Sequence, residues 1–584
     1  MSPFPLLFLV VIPALCKATQ IPFSSTTISR FYFGGYGDLE SERWDLDVEP
    51  SMNATENLIF ETISSLLQQW PNTRYRNGHT IVPAHILPGT LLYHGRSDPN
   101  LPTGPEWTAT DPEHSTVFCR TTDDKGCWHI TLVATRLLNV LYFDGSSAAK
   151  MPYGSMDTQD IIAWGLVNST RYFAEQERLA ALCTWGKPLG IDGFVRMEMD
   201  FEVMLCDFTA GLEVESMLNL EIVDSDPSPP IKHRINQDLA RLYYDINSFG
   251  ARVIRRDIEV IRAGGHHNTF PGETRIQLDL SRLISFYDTE LVPSLVEPRL
   301  KTKSRLAHRL ERISSEDIKA VMHRLEDTYS SPAATSGIDW FTLLRVIKDR
   351  YADRLELIRD ILNETTTSRF TDDLRARNIH VQLTVMMQPY LLYSMNSTSH
   401  SPSPFNSSTS WAKPAFELCS TAHTRYISSS LVLSSALTPS EILILRAVEG
   451  TTKEICRTVT NMWVRGVEAG LHQDEKSDED EPPRPQVSTA RLFDSWRVEV
   501  ERLMSWLDWS IWLKCRPRCA IGEICYLPTW PFFRWSTGSP PGFPGRGHRG
   551  PPPHGFAFGG KEQEDADWFD PQPTCHRIIQ PLDY

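Results

Sequence analysis

Residues 89–118 read GTLLYHGRSDPNLPTGPEWTATDPEHSTVF, and the fold of the first third of the chain turns on them. "LLYHGR" (91–96) is an apolar, strand-like run that reaches His94 and Gly95. A glycine there either ends the strand or lets a ligand approach the backbone, because no side chain stands in the way. "EWTAT" (106–110) is a second short strand, and Asp111 followed by Pro112 signals a helix start with Asp111 as N-cap. Strand, loop, strand and helix in this order place His94 near Trp107 and Thr108, on one lip of a cleft.

A later stretch, GIDGFVRMEMDFEVMLCDF (190–208), alternates. If extended, it sends Val195, Met197, Met199, Phe201, Val203 and Leu205 to one face. Arg196, Glu198, Asp200, Glu202 and Met204 go to the other. Acids on a largely buried strand need an explanation, and a solvent-facing edge with Arg196 offsetting them is the plain one. Asp144 in "LYFDGSS" and Asp157 and Asp160 in "MDTQD" read as N-caps or turn formers.

Taken together, the "YHG" strand, "EWTATDPEHSTVF" and the late "DGFV…EVMLCDF" strand resemble the ADP-ribosyltransferase fold, in its branch with a His-Tyr-Glu signature. The resemblance covers about residues 85–210. It implies that His94 and Gly95 bind the ribose and amide of NAD and that Glu202 is the catalytic carboxylate beside the bond that breaks. Trp107 or Thr108 stands where that branch has its tyrosine, and which of them faces the cleft stays open. The implied chemistry is coherent, since cleaving the nicotinamide bond develops positive charge on the sugar that a fixed carboxylate stabilises. Segments such as "LYFDGSSAAK" and "CRPRCAIGEICYLPTWP" also resemble uncharacterised secreted proteins of filamentous fungi.

Compartment is read from other features. The opening "MSPFPLLFLVVIPALCKATQ" has an apolar run from Phe4 to Cys16 that suits a secretory signal removed near Ala18. Asn53, Asn168, Asn363, Asn396 and Asn406 head glycosylation sequons. Of 11 cysteines, Cys16 leaves with the signal, and an even number in an oxidising compartment implies disulfides. They fall in local groups: Cys119 with Cys127, Cys183 with Cys206, Cys419 with Cys456, and a cluster of Cys515, Cys519, Cys525 and Cys575, whose internal connectivity the sequence leaves open. That cluster lacks the two close doublets of a zinc site, and His266-His267 in "AGGHHNTF" reads as a plain loop, so no metal is expected. A net charge of −15 disfavours nucleic acid. No stretch reads as a transmembrane anchor. The expectation is a secreted extracellular glycoprotein.

At 584 residues the chain exceeds one hydrophobic core. The expected fold is multidomain: a signal (1–18), an α+β N-terminal domain (19–224) ended by the proline-rich "DSDPSPP", and a helical domain (231–395). A Ser/Thr-rich glycosylated loop (396–411), a helical region (412–472) and an acidic linker (473–488) follow. A Trp-rich helix with the cysteine cluster (489–530) and a disordered Pro/Gly-rich tail (531–584) end the chain. Two functions fit. One is an enzyme using NAD for ADP-ribosyl transfer or NAD hydrolysis. The other is a noncatalytic, disulfide-stapled protein that binds an extracellular protein or wall partner.

Overall fold

A computed structural model describes residues 44–119, 127–220, 258–302, 304–330, 335–364, 371–393, 409–471, 489–528 and 570–579. The signal, the sequons at Asn396 and Asn406, the acidic linker and the Pro/Gly-rich stretch to 569 lie outside the described residues.

Strands in chain order are β1 (Thr80–Ile86), β2 (Leu91–Arg96), β3 (Glu106–Ala109), β4 (Cys127–Ala134) and β5 (Leu138–Phe143), then β6 (Gly193–Met197), β7 (Phe201–Leu205) and β8 (Leu212–Leu220). Two more, β9 (Ile276–Leu278) and β10 (Ile284–Ser285), follow the proline-rich break. All ten form one sheet in the order β10-β1-β5-β6-β7-β3-β2-β4-β8, with β9 also paired to β1. Every pairing is antiparallel except β5 with β6. A parallel pair needs a crossover. It runs through α2 (Asp157–Trp164) and α3 (Glu175–Gly186).

The stretch "RLISFYDTELVPSLV" (282–296) carries helical apolar spacing, yet it holds β10 and short single turns. Asp279 accepts from Ser281 N at 3.2 Å and caps a turn, and Pro293 heads the next one. Local side-chain bonds and a missing N–H outweigh the spacing. The sheet thus draws two strands from beyond the expected boundary.

Both faces of the sheet are covered. On one lie α2, α3 and α4 (Ser315–Ser330), with Ile161, Leu179, Leu182, Val321 and Leu325 packed on Leu141, Phe143, Phe194 and Met204. On the other, Leu92, Ile130, Leu132, Val195, Val203 and Leu205 join one continuous core with the helical half. That half comprises α5 (Trp340–Asn363), α6 (Asp372–Met387), α7 (Lys413–Thr421), α8 (Pro439–Glu468) and α9 (Thr489–Leu507). α8 is buried along most of its length. A capping box of Thr438 and Glu441 starts it, and Glu441 also accepts from Trp340 Nε1 at 3.1 Å. α9 stops at Leu507, earlier than the Trp-rich run suggests, because Asp508 takes φ +47°. Trp509 is therefore off the helix, buried and stacked on Phe60 at 5.8 Å.

A fully buried ion pair fastens the two halves, alongside the partly exposed pair of Arg74 with Asp508. Glu61, on α1 (Glu56–Ser65), which precedes β1, accepts from Lys348 Nζ of α5 at 2.5 Å and from Ser510 N at 2.8 Å. Both side chains are buried, with exposures of 3% for Lys348 and 0% for Glu61. Removing one partner of such a pair strands a charge in the interior, whereas removing both does not. Lys348→Met should therefore lower the unfolding free energy by about 3 kcal/mol, and Glu61→Gln with Lys348→Met should lose less than the single change. Urea unfolding of the parent and these two variants checks this; a double variant no more stable than Lys348→Met would refute it.

Candidate functional site

The alternating stretch 190–208 folds as a hairpin, with Glu198–Asp200 joining β6 to β7. This turns residues six apart into direct neighbours: Arg196 pairs with Glu202 across the two strands. Arg196 Nε donates to Glu202 at 2.9 Å, and its Nη2 donates to Glu175 of α3 at 2.5 Å. Arg178, one turn along α3, donates to Glu175 at 2.6 Å and to Asp160 of α2 at 2.8 Å. Lys150 Nζ lies 3.9 Å from Glu175. Alternating charges thus run under α2 and α3 on the face that β6 and β7 present to them. The acids on this face meet protein rather than solvent, contrary to the solvent-edge expectation.

These surroundings push neighbouring carboxyls apart in acidity. Burial would raise Glu202, but Arg196, then Lys150 and His114, outweigh it and hold the group below its ordinary value. Glu198 feels the pull of Arg196 only from a distance and forms no bond with it. Burial, with Glu202 nearby, pushes it up to about 8 against the pull of Lys150. Asp200, fully buried, is raised well above the usual range by burial and then by Asp111. A carboxylate kept ionised beside carboxyls kept neutral is the division of labour that acid–base and electrostatic catalysis use. His114, also buried, stands 3.8 Å from both Glu202 Oε1 and Asp200 Oδ2.

The expected site residues divide. β2, β3 and β7 are consecutive in the sheet, so the strands bearing His94, Trp107 and Glu202 do come together. Tyr93 pairs with Ala109 and Ala109 with Glu202. By strand alternation Glu202, Trp107 and Gly95 share one face, while His94 points to the other. His94 therefore does not meet Glu202 across a cleft. Its ring is buried against Phe208 at 5.2 Å, its Nδ1 donates to the Trp107 carbonyl at 2.6 Å, and its Nε2 faces Glu106 at 3.2 Å. Trp107 is the residue on the Glu202 face, with Arg196 6.0 Å from its ring centroid. Thr108 is fully buried, its hydroxyl donating to the Val203 carbonyl at 2.9 Å. The choice left open between them falls to Trp107.

β2 and β3 share the single registered pair Tyr93–Ala109. Continued, the register would set Gly95 opposite Trp107, but the ladder pairing stops first and the His94 ring bonds the Trp107 carbonyl instead. What approaches Gly95 is the chain itself. A Cβ there would fall on the Ser115 carbonyl oxygen and 2.8 Å from Cys119 Sγ, so residues Pro112–Cys119 lie over the glycine. Cys119 is joined to Cys127 of β4, which pins this cover. Asp111 sits at the N-cap position yet makes no cap bond; its carboxylate accepts from Arg275 and faces His267 at 3.3 Å. Asp157 and Asp160 are no caps either, but buried anchors for Arg309 and Arg178. Asp144 is buried and accepts from Thr80 N at 2.8 Å.

The other disulfides are Cys183–Cys206, Cys419–Cys456, Cys515–Cys525 and Cys519–Cys575, so the thiol cluster is fully bonded. Asn53 and Asn363 are exposed, and Asn168 is half-buried with its Oδ1 accepting from Thr170. Among the described residues, no helix is long and apolar enough to cross a membrane.

With known proteins, the chain is similar to a family described as the YPL277C N-terminal domain, over residues 43–129 and 128–237. It is 24% identical to the uncharacterized protein YOR389W of Saccharomyces cerevisiae over 84% of this chain and 85% of that protein. It is 28% identical to the uncharacterized protein YPL277C of the same yeast, over 56% of this chain and 80% of that protein. No solved structure matches. The likeness to uncharacterised fungal proteins expected from the sequence is found here, in yeast.

The cover over Gly95 makes a test. Gly95→Ala must displace backbone rather than a mobile side-chain tip, and should cost about 1–3 kcal/mol. Thermal unfolding measures it; an alanine variant as stable as the parent would mean that Pro112–Cys119 does not rest on the glycine.

Proposed function

We propose that the mixed α/β half takes NAD as substrate where the pairing of β2 with β3 stops, and cleaves the bond between nicotinamide and ribose. The electron pair of that bond leaves with nicotinamide, which departs neutral. Water or a protein side chain then attacks the ribosyl carbon and releases a proton. Glu202, held ionised and oriented by Arg196, stabilises the positive charge on the sugar. Trp107 supplies an aromatic surface for nicotinamide and His94 is a positioning residue that ties β3 to β2.

The observation that carries this reading is the end of the β2–β3 pairing after one registered pair, next to the strand that bears Glu202. Trp107 Nε1 adds to it, being a buried donor without a hydrogen-bond partner. An orphaned buried N–H costs free energy unless an acceptor arrives. Binding requires the cover at Ser115 and Cys119 to move off Gly95. The five disulfides and the exposed sequons at Asn53 and Asn363 support the secreted glycoprotein reading of the same chain.

A specific observation favours the second reading, a noncatalytic extracellular binding protein: Gly95 is already covered and Glu202 already paired. The two part on one experiment. The full chain, incubated with NAD, should release nicotinamide, and Glu202→Gln should slow release by about a hundredfold or more. The rate should rise as pH rises through about 8, where Glu198 ionises beside Glu202 and adds negative charge near the sugar cation, and Glu198→Gln should remove that rise. No NAD binding at about 1 mM, with the fold intact, would leave the noncatalytic reading standing.

A further inference from the structure

His267, in the "AGGHHNTF" loop, stands beside Asp111 from the start of the cover and Asp200 from the β6–β7 turn. One ligand atom of each lies within 4.8 Å of the others. His267 Nε2 is 3.3 Å from Asp111 Oδ2 and 3.3 Å from Glu273 Oε2. A four-coordinate divalent ion with nitrogen and oxygen ligands at about 2.1 Å spaces those atoms about 3.4 Å apart.

Charge argues the same way. Asp111 and Glu273 both bond Arg275, the one guanidinium within reach of the group among the described residues. Asp200 is left over. It has 0% exposure, and although its Oδ1 accepts from Phe201 N at 2.8 Å, its Oδ2 has no hydrogen-bond partner. The nearby His114 Nδ1, 3.8 Å away, is also unpartnered. A dication that displaced the Asp200 proton would face three carboxylates against one guanidinium, a surplus of two negative charges that it would balance.

We propose that Asp111, Asp200 and His267 form a binding site for a divalent transition-metal ion. Two carboxylates and an imidazole suit zinc or manganese better than the hard all-oxygen ions. Glu273 lies against His267 on the same side, and Arg275 holds Asp111 and Glu273 in place. The side chains of His267 and Asp111 are 14% and 20% exposed, so an ion has a way in and water can complete its shell. The inference does not rest on NAD chemistry, since none of these side chains has a role in that step.

The test titrates the full chain, stripped with chelator, with zinc chloride and with manganese chloride, by calorimetry and by thermal unfolding. Binding of one ion per chain, with a rise in melting temperature, is expected for at least one metal. Asp200→Asn and His267→Gln should each weaken it by more than about tenfold. Glu297→Gln, an exposed acid far from the group, should change nothing. His267 is partly exposed, so its variant keeps the test open where the buried Asp200 variant fails to fold. No binding at about 1 mM of either metal, or equal binding by parent and His267→Gln, would overturn the site.

Discussion

Arg196 stands between two buried carboxylates, donating to Glu202 at 2.9 Å and to Glu175 at 2.5 Å. A charge removed from water is tolerated when its partners supply both attraction and hydrogen bonds, and here one guanidinium satisfies acids from a strand and from a helix. That requirement fixes where α3 lies on the sheet, because Glu175 must reach Arg196 while Arg178 reaches back to Asp160 of α2. The contact of α2 and α3 with the sheet is therefore not held by aliphatic packing alone. Its register is specified by charge, and the same charges keep Glu202 ionised where burial alone would not.

The opposite face is specified differently. There the sheet contributes branched aliphatic side chains to a core shared with the helical half, and the fully buried ion pair of Glu61 with Lys348 supplies direction. Apolar contact is tolerant of sliding, whereas a buried pair is not. Charge is thus concentrated on one side of the sheet, beside that side's own apolar contacts, which explains why His94 and Glu202, on neighbouring parts of the sheet, see such different surroundings.

How much of this could be read in advance depends on whether a signal was local. The strands around His94, Trp107 and Glu202 were legible because alternation is a property of consecutive residues, and the shared face of Arg196 and Glu202 followed from it. The turn inside "MEMDF" was not, since no glycine, proline or asparagine marks it. Nor were Glu175, Arg178 and Asp160, which join the site only through the crossover, although Glu175 and Arg178 at helical spacing on the α3 side were a visible hint. His94 was misplaced for a subtler reason: the alternation that put Glu202 on one face puts His94 on the other once the register through Ala109 is known. The loop histidine His267 and its partner Arg275 carry no pattern at all, and only their long-range meeting with Asp111 gives them meaning. The run at 282–296 shows the reverse error, a helical spacing overruled by Pro293 and by the Asp279 turn.

The bond from Ser510 to Glu61 spans 449 residues of chain. A ribosome adding about 5–20 residues each second needs roughly 20–90 s to make that stretch. Until the end of that interval the helix Glu56–Ser65 has neither Trp509 to stack on Phe60 nor the backbone donor that completes Glu61, and the apolar side of the sheet gains its cover only in stages. Synthesis of this protein is therefore a long wait with a sticky surface exposed. The contacts that complete its early part wait until nearly its last described segment has been made.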